Sequence, residues 1–152
     1  MKGLFFVLLI VSNTAFSQQR VKDSTEVANT FNTILKECKN VNFADPDIAK
    51  YGTFYKVAPY IIYQGKDEKR KWKDYCNYSV EEEKNGVDEI CFRINRTINK
   101  ADSYKIVQYK TEKESEGLWH ILHVSLLLNG KQKQMSFAFL KPEKKFALGD
   151  ID

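Results

Sequence analysis

The chain has 152 residues, a formal net charge of +4, and 43% hydrophobic against 29% charged residues. That length fits one domain built on a single core, and the small positive excess is too weak for a nucleic-acid footprint. Three cysteines, an odd number, allow at most one internal disulfide.

The chain opens MKGLFFVLLIVSNTAFS. Lys2, the apolar run Leu4 to Val11 and the small residues Ala15 and Ser17 form the pattern of a secretory signal peptide over residues 1–17. Eight apolar residues fall far short of the roughly 20 that cross a bilayer. The expected mature protein therefore begins near Gln18, is not held in a membrane, and is periplasmic or secreted. No cysteine stands at the cut to carry a lipid. Loss of Lys2 lowers the net charge by one. Residues 18–152 carry no linker, repeat or low-complexity tract and are expected to form one domain.

Asp23 and Glu26 match a capping box at the start of a helix whose apolar face is Val27, Phe31, Ile34, Leu35 and Cys38. Asp45, Pro46 and Gly52 bracket a second, short helix. Pro59 to Gln64 is β-branched and aromatic and predicts a strand, with weaker strand character from Lys71 to Asn77. The basic cluster KDEKRKWK, Lys66 to Lys73, is diluted by Asp67, Glu68 and Asp74 and predicts a solvated loop or hairpin.

A second capping box, Ser79 with Glu82, opens a helix reaching about Asn99 with Val87, Ile90, Cys91, Ile94 and Ile98 on one face. Beyond it the period changes to two. Tyr104 to Glu112, Leu118 to Leu128, Lys131 to Leu140 and Phe146 to Ile151 predict strands, with Asn129-Gly130 as a two-residue hairpin turn. Cys38 and Cys91 lie on apolar helical faces and are expected to be buried free thiols. Their spacing with Cys76 matches no metal motif, and neither a metal nor a cofactor is expected. The sequons begin at Asn77 and Asn95, the latter inside the helix.

The Asn-Gly turn fixes a register: Leu128 opposite Lys131, Val124 opposite Met135, Leu122 opposite Phe137 and His120 opposite Phe139. The other face pairs Trp119 with Leu140, Ile121 with Ala138, His123 with Ser136 and Ser125 with Gln134. The only histidines, His120 and His123, are three apart and point to opposite faces, so they form no pair. His120 belongs to the edge of the apolar face.

Helix, short helix, strand region, helix and then antiparallel strands is an α+β order. Through SVEEEKNGVDEICFRINRTI, GLWHILHVSLLLNGKQKQMSFAFL and the closing KFALGDID, residues 18–152 resemble the nuclear-transport-factor-two-like superfamily, of cystatin-like fold, and exported bacterial proteins of unassigned role. The resemblance implies N-terminal helices on a strongly curved antiparallel sheet of about four to six strands, a cone enclosing a pocket. Its members include enzymes, small-molecule binders and association domains, so the fold selects no function.

Three functions follow as expectations. The first is a non-enzymatic exported domain binding a small apolar ligand or a protein, with Tyr63, Trp72, Tyr109 and His120 lining the pocket. The second is a small lyase or isomerase, with His120 as base beside Asp150, taken to face inward with Phe146 and Leu148. The third is a self-associating domain, such as a homodimer, pairing Trp119, Ile121, Leu127 and Leu140 on the outer face. A glycine-flanked serine elbow and phosphate-binding glycine loops are absent.

Overall fold

In the computed structural model, residues 3–39, 60–61, 80–115, 117–141 and 144–152 are described, with side chains from residue 17 in the first helix and from residue 87 in the second. Helix α1 spans Gly3–Lys39 and α2 spans Val80–Arg96, followed by a 3-10 turn at Ile98–Lys100. Four strands follow: β1 Ser103–Lys113, β2 Leu118–Leu128, β3 Lys131–Leu140 and β4 Ala147–Ile151. They form one open antiparallel sheet in the order β1-β2-β3-β4. The α+β class read from the sequence is therefore observed.

The two helical faces bury the residues their periodicity selects. Val27, Phe31, Ile34 and Cys38 of α1 and Cys91 of α2 are fully buried, with Leu35, Val87, Ile94 and Ile98 close to it. They cover the sheet face carrying Leu122, Val124, Leu126, Met135, Phe137, Phe139, Leu148 and Ile151 in a single core cluster. Burying each large apolar side chain contributes about 1.5–3 kcal/mol. The rings of Phe31 and Phe137 meet edge to face at 4.8 Å and join α1 to β3.

Asn129 and Gly130 both take positive φ, 52° and 72°, as a type I′ turn demands. The resulting register pairs Leu128 with Lys131, Val124 with Met135, Leu122 with Phe137 and His120 with Phe139, as the turn predicts. The β1–β2 turn uses Gly117 at φ 148°, a conformation that side chains rarely adopt. It closes with Glu114 and Gly117 each donating its N–H to the other's carbonyl.

Two expectations are corrected here. Asp23 does not cap a helix, because α1 runs through it from Gly3. No proline or glycine interrupts Gln18 to Asn40, and the hydroxyls of Ser24, Thr25, Thr30 and Thr33 donate back to carbonyls one turn earlier without breaking the helix. Nor are Cys38 and Cys91 free thiols: they are bonded as a disulfide. Each residue lies on the buried face of its helix, and the two helices meet at that height.

Amides of α2 and the following turn reinforce this junction. Asn95 Nδ2 donates to the Cys38 carbonyl at 2.7 Å, and Asn99 Nδ2 donates to that of Leu35 at 3.2 Å and to Asn95 Oδ1 at 2.6 Å. The Cys38 carbonyl lies in the last turn of α1, where carbonyls lack partners within the helix, and Asn95 supplies one. Asn95 is thus occupied in holding the helices together.

Of the strand predicted at Pro59 to Gln64, Ile61 is 8% exposed and forms an isolated parallel bridge with Leu148. Tyr60 beside it is partly buried against the core, while Pro59, residues 62–64, the helix bracketed by Asp45 and Gly52, the Lys71 to Asn77 stretch, the Lys66 to Lys73 cluster, Asn77 and Cys76 lie outside the described residues. Among the described residues no helix is long and apolar enough to cross a membrane.

Candidate functional site

His120 lies near the start of β2, on the face that packs against α1. Its ring is 4% exposed, and among the described residues it is the one buried polar side chain. Tyr109 of β1 reaches the same face because the register shifts between Ile106 and Gln108, leaving Val107 as an extra residue. The bulge lets Ile106 and Tyr109, three apart, both point inward. The Tyr109 hydroxyl lies 2.6 Å from His120 Nδ1.

Phe146, just before β4, packs edge to face on the imidazole at 4.7 Å. On its ring sits the ammonium of Lys141, 4.5 Å from the centroid, a cation–π contact. Lys141 follows the last residue of β3 and reaches across to α1, donating to Glu26 Oε2 at 2.8 Å and lying 3.5 Å from Asp23 Oδ1. Gln19 donates its amide to the same Asp23 oxygen at 2.9 Å. The lysine thereby clasps the sheet to the helix.

Between these elements opens a cleft of about 320 Å³, lined by Gln19, Asp23, Gly117, Leu118, His120, Leu140 and Lys141. Burial lowers the His120 pKa from its ordinary 6.5; nearby Asp23 opposes that shift and Lys141 adds to it. Burial, with Asp23, pushes the Tyr109 hydroxyl up to about 12, against a smaller opposite pull from Arg20. Lys141 is held above 10.5, first by its hydrogen bond to Glu26 and then by the charges of Glu26 and Asp23, despite its own desolvation. The cleft therefore has a neutral imidazole for a floor and a neutralised cation on its wall.

The expected His120–Asp150 pair does not form. Leu148 pairs with Phe139 while Asp150 pairs with Ala138, so Gly149 is an extra residue in β4 and the parity that ties Phe146, Leu148 and Asp150 together is broken. Leu148 and Ile151 point inward, and Asp150 is exposed on the Ile121 side of the sheet, its Oδ1 accepting from the Ile151 N–H at 2.8 Å. His123 also faces outward, 3.0 Å from Ser136 Oγ. Of the residues expected to line a pocket, Tyr109 and His120 are brought together, while Tyr63 and Trp72 lie outside the described residues.

Among the described residues the outer face does not present one continuous apolar patch. Leu140 is 4% exposed and packs with Ala147 and Trp119 in a small second cluster. Leu127, exposed, is separated from Ile121 by His123 and Ser125, the latter taking a hydrogen bond from Gln132. Among the described residues no group of three or more His, Cys, Asp or Glu side chains is placed to hold a metal ion.

The sequence reading missed Lys141 and the role of Asp23. A lysine immediately after a core strand, beside Pro142, is a weak signal by itself; its meaning comes from α1 lying opposite. Comparison with family models and with curated proteins finds no match for the chain.

Proposed function

We propose that this is an exported, non-enzymatic domain that binds a small molecule in the cleft over His120. One observation carries the reading: a histidine removed from solvent, its Nδ1 occupied by Tyr109, forms the floor of a cavity large enough for a small organic ligand. The lining mixes Leu118 and Leu140 with Gln19, Asp23 and Lys141, which suits an amphipathic ligand better than a wholly apolar one.

Export rests on the signal-peptide pattern of residues 1–17, and a cut after Ser17 falls within α1, close to Gln19 on the rim of the cleft. The nuclear-transport-factor-two-like, cone-shaped fold of bacterial exported proteins remains the reading that best joins helices to one face of an antiparallel sheet with a cleft between them. An acid/base enzyme is less well supported, because the carboxylate assigned to His120 faces the other way. Self-association through the outer face is weakened by the burial of Leu140.

Native mass spectrometry of the mature protein purified from its own host tests this. A retained small-molecule mass, lost on denaturation, is expected; a bare monomer contradicts the proposal, and a bare dimer favours self-association.

A further inference from the structure

The hydrogen bond between Tyr109 and His120 decides what the cleft offers. The Tyr109 hydroxyl has one hydrogen to place, and Nδ1 is the one acceptor it meets among the described residues. Were the imidazole hydrogen on Nδ1, the phenol would accept it and leave its own hydrogen without an acceptor in a part-buried site, which costs about 1–3 kcal/mol. The phenol therefore donates, Nδ1 accepts, and the ring hydrogen sits on Nε2.

That Nε2–H has no partner among the described residues. His120 lines the cleft, and with Nδ1 held by Tyr109 its other ring nitrogen is the one left to face that space. A donor thus faces a pocket in which, among the described residues, Lys141 is the one cation in the lining and is already matched by Asp23 and Glu26. A carboxylate ligand would add a third anion to that group. A cation would have nothing to accept the Nε2–H.

Resting on the ligand-binding reading above, we infer that the ligand is a neutral molecule that places a carbonyl oxygen on His120 Nε2–H and an apolar body against Leu118 and Leu140. The preference comes from the tautomer and from a wall on which Lys141 already carries two carboxylates, so it requires Tyr109 as well as His120.

Long-range proton–nitrogen NMR of the imidazoles in the mature chain, titrated with hexanamide, hexanoate and hexylammonium, tests this, since the three probes share one body and differ in the polar end. Expected are the Nε2–H tautomer before addition, a shift of the His120 Nε2 signal with hexanamide, and binding of hexanamide about ten-fold tighter than of either charged probe, the effect of one satisfied hydrogen bond. A resting Nδ1–H tautomer, hexanamide binding that leaves His120 unmoved, or a charged probe binding as tightly overturns the neutral-carbonyl inference. In the last of these cases a shift at His120 would still leave the cleft as a binding site. Failure of all three probes to bind overturns the cleft reading with it.

Discussion

Tyr109 and His120 are joined by a 2.6 Å hydrogen bond although neither faces the other across the β1–β2 ladder: Tyr109 is opposite Leu122, and His120 is opposite Thr111. The bond is diagonal, between side chains on one face two residues apart along β2, within the reach of such neighbours in a sheet. It exists because Val107 is bulged out and keeps Tyr109 on the core side while Ile106 stays there too.

Replacing Tyr109 with phenylalanine removes the donor and leaves the ring contacts. The expected cost is about 1 kcal/mol of stability, the typical net worth of one hydrogen bond, together with a change in the His120 tautomer. Urea unfolding and imidazole nitrogen shifts read the two effects separately. A wild-type tautomer pattern in Tyr109→Phe would show that the phenol does not set it.

The lowered pKa of His120 makes stability depend on pH in a definite direction. The unfolded chain binds a proton near the ordinary value of 6.5, while the folded imidazole resists it. Stability is then fully present above 6.5 and is lost as pH falls from there to the folded value, with a slope of at most about 1.4 kcal/mol per pH unit from this group. Among the described residues the charges that act on the ring are Asp23 and Lys141, the latter paired in turn with Glu26. Urea midpoints at pH 7.5 and pH 5, compared between wild type and His120→Phe, should show a steeper decline in the wild type. Equal declines would assign the pH dependence to other groups.

Lys141 titrates in the opposite sense. Its folded pKa is raised above 10.5, so the clasp to Glu26 and Asp23 contributes below that pH and is lost as pH rises through the folded value. Because the group is partly solvated, Lys141→Met should cost under about 1 kcal/mol, and less still in high salt. Loss of several kcal/mol in the variant would mean that α1 depends on the clasp far more than such a contact provides.

The disulfide closes a separation of 53 residues between Cys38 and Cys91. In the chain-entropy account a loop of that length is worth about 4 kcal/mol, so a Cys38→Ser, Cys91→Ser double variant should unfold at a markedly lower urea concentration. Thiol titration of the unreduced, denatured wild type should find fewer than the three thiols that its cysteines would give if all were free. Three reactive thiols would contradict the bridge.

What could be read from the sequence was local or periodic. The Asn129-Gly130 turn dictated the pairing of β2 with β3, and the spacing of Val27, Phe31, Ile34, Leu35 and Cys38 named the buried side of α1. Of the two bulges, nothing in the alternation around Val107 marks an extra residue, while Gly149, a glycine inside a short strand, is a bulge signal that parity counting passes over. One of them brought Tyr109 beside His120, and the other turned Asp150 away from it. Helical periodicity placed both Cys38 and Cys91 inward but could not say at what height the helices cross, and so whether the sulfurs meet. Asp23 looked like a cap because its spacing to Glu26 is that of a capping box, yet both carboxylates instead hold Lys141 from a position 115 residues distant in the chain from Glu26.

The claim that matters most is that the cleft over His120 holds a ligand. Leu118 lies on its wall and is 49% exposed, so Leu118→Trp can fill the space without disturbing the core or His120. Native mass spectra of the mature wild type and this variant, both purified from the protein's own host, should show a bound small-molecule mass in the wild type and none in the variant. A bare wild-type protein, or the same bound mass in both, would contradict the account.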